Sequence, residues 1–443
     1  MLAADTKYGR FAARVLGTVI SYAATLVPSA TADIESIDEG MRLGYNWRWG
    51  PFELADMIGV SKLIALLERE KLPVPPLLRT AAGKSFYRVE KGKRQFLGID
   101  GAYHDSTRPP GVIMLEDIKR VEKPVLKNAS AAVWDIGDGV LCFEFTSKAN
   151  SLDDKLLELL DKTIDLVQQK YKALVIYNEG QMFSAGANLG AVLFAANMAA
   201  WGEIDKMVAS AQQTLKRLKY APFPSVAAPA GMALGGGCEV VMHCSAVQAN
   251  AESYIGLVET GSAGLVPAAG GCGELLARLR ANKKMPRGPI PAVAKLLETV
   301  TNVTVSKSAV EAKELGFLRE TDGVTMNRYR LLADAKARAL AMVDGYKPPT
   351  PPEFTWMPGR SGKTLAYGMV HGYRQRGLAL PHDEVVNMAL AEAVSGGDVD
   401  LADTVTEQQM LDLERAAFMR LVKTPATLAR IEHVLETGKP LRN

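Results

Sequence analysis

The apolar positions of the chain follow two kinds of period, one helical and one extended. SLDDKLLELLDKTIDLVQQKY, which begins at Ser151, has the helical period, and Ser151 is its expected N-cap. The runs ALVIY, SVAAPA and AVQANA are short and continuously apolar, as in strands that are buried on both faces. Strands that alternate with helices predict an α/β core. The predicted buried face of the helix consists of Leu152, Leu156, Leu159, Thr163 and Leu166.

Two segments have the alternation and turn residues of hairpins. SFYRVEKGKRQFLGI is expected to turn between Glu90 and Lys93. AAVWDIGDGVLCFEF is expected to turn at Gly137, Asp138 and Gly139. The second hairpin opens the predicted α/β region.

The N-terminal apolar run has features of a signal peptide, because basic residues precede it and the small residues SATAD follow it. The charges of Asp5 and Arg14 favour an amphipathic helix instead. No stretch of the chain is long and apolar enough to predict a transmembrane helix. We therefore expect a cytoplasmic protein without integral membrane contact. The predicted apolar stripe of this first helix consists of Phe11, Val15, Val19 and Tyr22.

Composition divides the chain into three regions. Residues 1–128 combine helical patterns, a proline-rich stretch and a hairpin linker. Residues 129–343 carry the α/β pattern. Residues 344–443 begin near the linker GYKPPTPPEF and are helical by pattern.

Charge and cysteine content exclude several functional classes. A net charge of +3 and the lack of a long basic run argue against a nucleic-acid-binding protein. The four cysteines have no C-x-x-C spacing, and no H-E-x-x-H motif is present. We therefore expect no metal, no disulfide framework and a reducing compartment.

The sequence has no complete phosphate loop and no dinucleotide-binding motif. GRSGKT at 359–364 is similar to a phosphate loop, but Met357 stands where the first glycine is required, so a surface loop is predicted. No G-x-G-x-x-G follows a strand, and no nicotinamide or other redox cofactor is therefore expected.

The stretch GMALGGGCEVV at 231–241 places a bare glycine turn before a carboxylate. A helix beginning near Gly236 would leave its first backbone N–H groups free to stabilise an oxyanion. Glu239 would project over the same face, although capping its own helix is an equally good use of that residue. MFSAGANLG at 182–190 is a second loop of small residues that exposes backbone amides.

These stretches, with GLVETGSAGLVPAAGG and VSKSAVEAKELGFL, resemble the crotonase (enoyl-CoA hydratase/isomerase) superfamily over residues 129–343. The resemblance implies a ββα spiral core flanked by helical regions. It also implies an acyl-CoA substrate whose thioester carbonyl is held by the amides of Ala187 and Gly236. The other substrate-binding residues carried over by the resemblance are Ala185, Gly186, Gly235, Leu189, Trp201 and Lys219.

The same resemblance assigns the chemistry to Glu239 and Glu259. In a hydratase, Glu239 would activate a water for attack on the β-carbon and Glu259 would exchange a proton with the α-carbon. An enoyl-CoA isomerase and a non-catalytic acyl-CoA-binding scaffold are the alternatives. Val258 and Asn188 depart from the proline and aspartate that many members have at these positions.

The helical segment between the two loops supplies further candidates for substrate contact. Met198, Trp201 and Met207 are candidates for the acyl pocket, and ordinary helix core is the alternative. The basic cluster Lys216, Arg217 and Lys219 could meet the CoA phosphates or simply be solvated.

The stretch IDEGMRLGYNWRWGPFELADMIG at 37–59 resembles the helical C-terminal domain of 3-hydroxyacyl-CoA dehydrogenases. The order of regions is similar to that of bacterial bifunctional β-oxidation proteins, without a dinucleotide-binding domain in this sequence. Dehydrogenase activity is therefore not expected from this chain alone. A dehydrogenase or thiolase partner chain and a homo-oligomer are both compatible with the resemblance. The aromatic residues of this stretch could form a partner face or a local core anchor: Tyr45, Trp47, Trp49 and Phe52.

Overall fold

The computed structural model describes residues 6–443, which form two compact units. The first unit runs up to Pro110 and includes Lys119–Glu122. The second unit consists of Gly111–Ile118 and Lys123–Asn443. The predicted α/β region and the C-terminal helical region therefore lie in one compact unit.

The helices and strands of residues 6–443 are as follows. The helices are α1 Lys7–Thr25, α2 Ile34–Tyr45, α3 Pro51–Ile58, α4 Val60–Arg69, α5 Pro76–Thr80, α6 Leu115–Val121, α7 Asp154–Lys170, α8 Leu189–Asn197, α9 Trp201–Lys219, α10 Gly236–His243, α11 Glu259–Ser262, α12 Gly271–Ala281, α13 Pro291–Thr301, α14 Ala309–Glu314, α15 Leu331–Ala341, α16 Gly359–Gln375, α17 Pro381–Val394, α18 Glu407–Leu421 and α19 Pro425–Thr437. The strands are β1 Tyr87–Glu90, β2 Lys93–Leu97, β3 Tyr103–Asp105, β4 Leu126–Lys127, β5 Ala131–Asp135, β6 Val140–Phe145, β7 Ala173–Tyr177, β8 Ser225–Ala228, β9 Gly231–Leu234, β10 Ala246–Asn250, β11 Ser253–Gly256, β12 Gly323–Thr325, β13 Glu353–Phe354 and β14 Val405–Thr406.

The second unit is built on a seven-stranded sheet of order β12-β10-β8-β7-β6-β5-β4. The pairs from β6 through β12 are parallel, and the β4–β5 and β5–β6 pairs are antiparallel. In β7, Leu174 and Ile176 join one hydrophobic cluster, while Ala173 and Val175 join another. Alternate residues of a strand face opposite sides of a sheet, so both faces are covered. This burial explains why ALVIY is continuously apolar.

A two-stranded parallel sheet, β9 with β11, lies beside the glycine turn. The sequence indicated that the strand SVAAPA leads directly into the helix at Gly236, but β9 stands between them. The register pairs Gly231 with Ser253 and Leu234 with Gly256. This short sheet brings the start of α10 next to the segment that leads into α11.

Helix α7 begins two residues later than the expected start. Asp153 is the N-cap, and its carboxylate accepts a hydrogen bond from the Leu156 N–H at 2.9 Å. The Ser151 hydroxyl instead donates to the carbonyl of Lys148. Either residue type caps well, so the choice depends on the preceding turn. The buried face also includes Leu157, Leu160, Ile164 and Val167, whereas Leu166 is half-buried.

The buried face of α1 in the first unit is not the predicted apolar stripe. Phe11 is 71% exposed and Tyr22 is 65% exposed, while Ala13, Gly17 and Ile20 are buried. A Cβ placed on Gly17 would lie 3.0 Å from Cδ2 of Leu67 in α4. The small residues of α1 therefore allow α4 to approach closely, and this close contact determines which face is buried.

Both hairpin turns are confirmed. Lys91 and Gly92 join β1 to β2 with positive φ, as do Gly137, Asp138 and Gly139 between β5 and β6. GRSGKT, in contrast, forms the start of α16 and not a loop. Of the four aromatic residues near α2, Phe52 is buried and Tyr45 is 73% exposed, so they do not form a single cluster.

The C-terminal helices α16–α19 pack into the core of the second unit. Met410 and Leu421 of α18, Val386 and Leu390 of α17 and Ile431 of α19 belong to the same buried cluster as the sheet. No helix within residues 6–443 is both long and apolar enough to cross a membrane.

Candidate active site

A cavity of about 140 Å³ opens at the ends of β7 and β9, where the two small-residue loops meet. Its polar lining includes Glu239 and Glu259 and backbone of the two loops, together with Asp153, Asp154, Asn188 and Ser262. Its wall is mostly apolar, as expected for a pocket that holds an acyl group. The loop residues that line it are Ala185, Gly186, Ala187, Asn188, Leu189, Gly235 and Gly236, and the apolar wall includes Leu157, Val192, Met207, Val208, Ala211, Val266 and Phe418.

The loop after β7 is pinned on both sides by backbone hydrogen bonds. The Leu152 N–H donates to the Gly186 carbonyl at 2.9 Å, and the Asn188 N–H donates to the Leu152 carbonyl at 2.9 Å. Ala187 lies between these two bonds with its N–H directed away from Leu152. No acceptor for the Ala187 N–H is found among residues 6–443, so this amide is available to a ligand.

The second amide belongs to Gly236, the first residue of α10. The four N-terminal N–H groups of a helix have no partner within the helix, and the Gly236 N–H has no acceptor in the part of the chain that the structure describes. A Cβ placed on Gly236 would lie 3.5 Å from the Ala187 nitrogen. The two free amides are therefore neighbours, and the α10 dipole adds positive potential at this point.

Two glycines permit this close approach. Gly186 has φ of +103°, and a Cβ there would lie 3.1 Å from the Leu234 carbonyl oxygen. Gly235 has φ of +54°, and a Cβ there would lie 3.0 Å from Oε1 of Glu259. The lack of a side chain at Gly186 lets the two loops approach each other, and the lack of one at Gly235 leaves room for the Glu259 carboxyl group.

Glu239 projects from the first turn of α10 into the cavity and is 3% exposed. Its Oε1 accepts hydrogen bonds from the N–H groups of Ala269 at 2.8 Å and Gly271 at 2.9 Å. Burial raises the pKa of Glu239 to about 7, while these two bonds oppose the rise. The carboxylate is not a cap of its own helix, because it binds the start of α12.

Glu259 opens the short helix α11 on the opposite side of the glycine turn. Its Oε2 is shielded from solvent and finds no hydrogen-bond partner among residues 6–443. Burial, followed by the charge of Glu239, raises the pKa of Glu259 to about 8. At neutral pH the pair therefore retains a proton.

Several residues expected at the site lie elsewhere. Trp201 packs against the core outside the cavity lining, with Lys423 Nζ 5.9 Å from its ring centroid. Met198 is 68% exposed, and among the three acyl-pocket candidates only Met207 lines the cavity in the described residues. Asn188 caps α8 by accepting a hydrogen bond from the Ala191 N–H.

The structure does not support the expectation that Lys219 meets a CoA phosphate. Its ammonium is buried and forms ion pairs with Glu274 and, at 2.6 Å, with Glu407. Arg217 pairs with Asp161 and Asp165 on α7. Lys216 donates to Gln408 at 3.1 Å. The basic cluster therefore ties α9 to neighbouring helices.

The C-terminal helices contribute residues that the sequence did not indicate. Phe418 of α18 lines the cavity. The guanidinium of Arg430 on α19, which is 1% exposed, donates to the Thr260 carbonyl at 3.2 Å and to Asp383 at 2.6 Å. Because Thr260 follows Glu259, Arg430 anchors the helix that carries this carboxylate.

This arrangement can polarise a carbonyl and transfer protons beside it. Two free amides would stabilise negative charge that develops on a thioester oxygen, and one such donor contributes about 10²–10³ in rate. Two carboxyl groups with raised pKa values, one held by two N–H groups and one with an unpartnered Oε2 within residues 6–443, can act as base and acid near neutral pH.

Two protein families match separate parts of the chain. The sequence model of the family described as enoyl-CoA hydratase/isomerase matches residues 135–285. That of the C-terminal domain of 3-hydroxyacyl-CoA dehydrogenase matches residues 9–102. An enoyl-CoA hydratase structure from Bacillus halodurans aligns with 69% of this chain and 99% of its own at 16% identity, with a TM-score of 0.47 that is too low to bear on the site.

Two curated relatives match the whole chain but are longer. A Bacillus subtilis protein, whose name describes a 3-hydroxyacyl-CoA dehydrogenase, is 34% identical over 100% of this chain and 56% of its own length. A Rickettsia prowazekii protein, whose name describes a fatty acid oxidation complex trifunctional enzyme, is 27% identical over 98% of this chain and 54% of its own. The chain thus spans about half the length of these relatives. Residues 135–285 are thus a crotonase domain of the enoyl-CoA hydratase/isomerase type, and residues 9–102 match the C-terminal domain of 3-hydroxyacyl-CoA dehydrogenase.

Proposed function

We propose that this protein is an enoyl-CoA hydratase, which adds water to a 2-trans-enoyl-CoA to give a 3-hydroxyacyl-CoA. One observation carries the proposal: Glu239, which is buried, and Glu259, which is half-buried with a shielded Oε2, share a cavity with the free amides of Ala187 and Gly236. The amides suit a thioester oxygen, and the two carboxyl groups suit a water held between them.

In the proposed step, Glu239 takes a proton from water while the water oxygen bonds to the β-carbon. The double-bond electrons move towards the thioester carbonyl, whose oxygen becomes negative and is stabilised by Ala187 and Gly236. Glu259 then gives its proton to the α-carbon, and the proton that Glu239 took from water passes to Glu259 through solvent, which restores both groups for the next turnover. One water is added to one double bond, and no oxidant or reductant is needed.

The pKa values support these roles. A base at neutral pH must be ionised, and Glu239 has the lower value because two N–H groups stabilise its charge. An acid must keep its proton, and Glu259 has the higher value because it lies in an apolar site beside Glu239. The pair is thus set for one deprotonation and one protonation in the same turnover.

Isomerisation of an enoyl-CoA is the second candidate, because moving a double bond also needs an oxyanion hole and a proton shuttle. The unpartnered Oε2 of Glu259 would suffice for that shuttle. An isomerase has no use for a second carboxyl group that activates water, and the anchored Glu239 favours the hydratase.

The test compares the intact protein with Glu239→Gln and Glu259→Gln. Crotonyl-CoA and a 3-enoyl-CoA are supplied separately, and the products are identified by mass and chromatography. We expect hydration of crotonyl-CoA by the wild type and a loss of about 10²–10⁴-fold in each variant. Binding of butyryl-CoA, measured by calorimetry, serves as the control for folding. Conversion of the 3-enoyl-CoA without hydration would instead establish an isomerase.

The relatives supply the setting for this proposal. Because one of them is named for fatty acid oxidation, we propose a fatty acyl chain on the CoA thioester. The match of residues 9–102 to a dehydrogenase domain suggests that the 3-hydroxyacyl-CoA product passes to a dehydrogenase. Whether that activity lies on a partner chain is tested by copurification of the native protein.

A further inference from the structure

A further buried carboxyl group, that of Glu414 on α18, lies next to the proposed active site. Glu414 is 0% exposed. Its Oε2 accepts a hydrogen bond from the Gly270 N–H at 2.9 Å, and its Oε1 accepts one from the Gly273 N–H at 2.8 Å. Both amides belong to the segment that begins α12.

The same segment holds Glu239. Ala269 and Gly271 donate to Glu239, so the amides of this turn alternate between two carboxylates that approach from different helices. Gly270 between them has φ of +100°. A shift of the turn away from Glu414 would therefore also move the two donors that anchor Glu239.

Glu414 has no other polar contact that explains its burial. Within residues 6–443, its hydrogen bonds are those to Gly270 and Gly273, and it forms no ion pair. A carboxyl group without an opposite charge beside it is costly to bury, because it loses its hydration. The N–H groups of Gly270 and Gly273 are the compensation that the described residues provide. The charged and titratable groups around it are Glu239 and His243 from α10, Cys272 and Glu274 from α12, Lys216 from α9 and Glu407 from α18.

We propose that Glu414 is a positioning residue for the hydration step: it fixes the first turn of α12 so that Ala269 and Gly271 hold Glu239 towards the water. This inference rests on the proposed hydratase function. It gives the C-terminal helices a part in catalysis through Glu239, although Glu414 does not line the cavity.

The test is a double-mutant cycle on hydration by the intact chain. Glu414→Gln keeps the side-chain length but places an amide NH2 against a backbone N–H, so one of the two bonds is lost. We expect kcat to fall about 10- to 100-fold with KM changed less than about 2-fold, because the carboxylate is displaced and not the CoA site. In a Glu239→Gln background the same change should cost less than about 2-fold, since its effect passes through Glu239.

The matched control is Glu407→Gln on the same helix. Glu407 contacts Lys219 and Tyr220 and has no bond to the turn that begins α12. We expect kcat within about 2-fold of wild type and an equal effect in both backgrounds. Equal losses for Glu414→Gln in the two backgrounds would overturn the proposal and leave Glu414 with a structural role alone.

A second readout does not depend on activity. Carboxyl NMR of the intact protein, assigned with Glu239→Gln, follows the titration of Glu239. Loss of N–H bonds from Ala269 and Gly271 destabilises the ionised form of Glu239, whereas loss of the Glu414 charge stabilises it. The titration therefore uses Glu414→Asp, which keeps the acid group, and we expect this variant to raise the pKa of Glu239 by about one unit. An unchanged or lower value would overturn the proposal. If the wild type does not hydrate crotonyl-CoA, the proposed function fails, and this titration still decides the role of Glu414.

Glu414→Asp covers the case in which Glu414→Gln does not fold. It keeps the acid group and shortens the side chain by one methylene, so it can reach only one of the two amides. We expect an upward shift in the pKa of Glu239 and a kcat between wild type and Glu414→Gln. Wild-type values for both quantities would contradict the proposal.

Discussion

At the scale of single residues, the chemistry depends on how differently the protein treats two similar side chains. Glu239 and Glu259 are both carboxyl groups that face one cavity. Two backbone N–H groups hold Glu239, whereas Oε2 of Glu259 has no partner among residues 6–443. The two N–H groups stabilise the charge of Glu239, and that charge in turn disfavours ionisation of Glu259, so that one group suits the base and the other the acid.

This difference predicts the pH dependence of hydration. The rate constant kcat/KM should rise as Glu239 loses its proton, with an apparent pKa of about 7, and fall as Glu259 loses its own, at about 8. In Glu239→Gln the charge that raises the pKa of Glu259 is gone, so carboxyl NMR should show Glu259 titrating at lower pH. A flat profile across both values, with unchanged titration of Glu259, would contradict the assignment.

The sequence indicated most of the polar residues of the site, but it wrongly placed Lys219 at the substrate. Ala187, Gly236 and Glu239 follow from local features, because loops of small residues and helix starts expose amides wherever they occur. Lys219 could not be placed in this way. Its two carboxylate partners, Glu274 and Glu407, are 55 and 188 residues distant in sequence, and only the packing of α12 and α18 brings them to it.

At the scale of elements, the start of α12 is the part on which the site depends most closely. A Cβ placed on Gly271 would lie 2.8 Å from Oε1 of Glu239, whereas one on Gly273 would lie 3.6 Å from the nearest atom, Oε1 of Glu414. Neither glycine has a positive φ, so alanine is compatible with the backbone at both positions. The two positions therefore form a matched pair.

We expect Gly271→Ala to displace Glu239 and to lower kcat about 10²-fold. Gly273→Ala should keep at least about half of the activity and gain some helix stability, because alanine favours a helix over glycine. Hydration assays and thermal unfolding of the two variants, made side by side, measure both effects. Equal activity in the two variants would show that the contact between Gly271 and Glu239 does not matter.

Helix faces and helix starts were predicted less well than the elements themselves. The apolar stripe of α1 is exposed, because the neighbouring α4 packs against the small residues around Gly17. The N-cap of α7 is Asp153 and not the predicted Ser151, because the Ser151 hydroxyl donates to the Lys148 carbonyl in the preceding turn. In both cases local pattern defines the helix, and its neighbours determine which face and which cap are used.

At the scale of the whole molecule, the buried glutamates should make stability depend on pH. In the unfolded chain Glu259 titrates near its ordinary value of 4.5, and in the folded chain near 8. Between these values the folded state binds more protons, so the free energy of unfolding falls as pH rises through this window. The cost is fully developed above the folded pKa and absent below the unfolded one.

Glu259→Gln should remove this dependence. We expect the variant to exceed the wild type in free energy of unfolding by a few kcal/mol at about pH 9, and the excess to shrink at about pH 5. Denaturant unfolding of the intact chain at several pH values measures the difference, in which the contributions of groups that do not interact with Glu259 cancel. The same pH dependence in both proteins would mean that Glu259 is not buried as described.

The organisation of the whole chain was only partly accessible to sequence. The alternating pattern indicated the α/β core, and the linker GYKPPTPPEF suggested a separate helical region. The structure instead packs α16–α19 into the same compact unit, where Phe418, Glu414 and Arg430 approach the site. The sequence of an amphipathic helix predicts that one face is buried, but it does not identify the surface against which that face packs.

The central claim is that Glu239 and Glu259 together add water to an enoyl thioester. The most direct measurement incubates the intact protein with crotonyl-CoA in oxygen-labelled water, without nicotinamide, and locates the label by mass spectrometry. The account predicts one labelled oxygen on the β-carbon of a 3-hydroxybutyryl-CoA product, and no labelled product above background from Glu259→Gln. An active, folded protein that shifts double bonds but incorporates no label would contradict it.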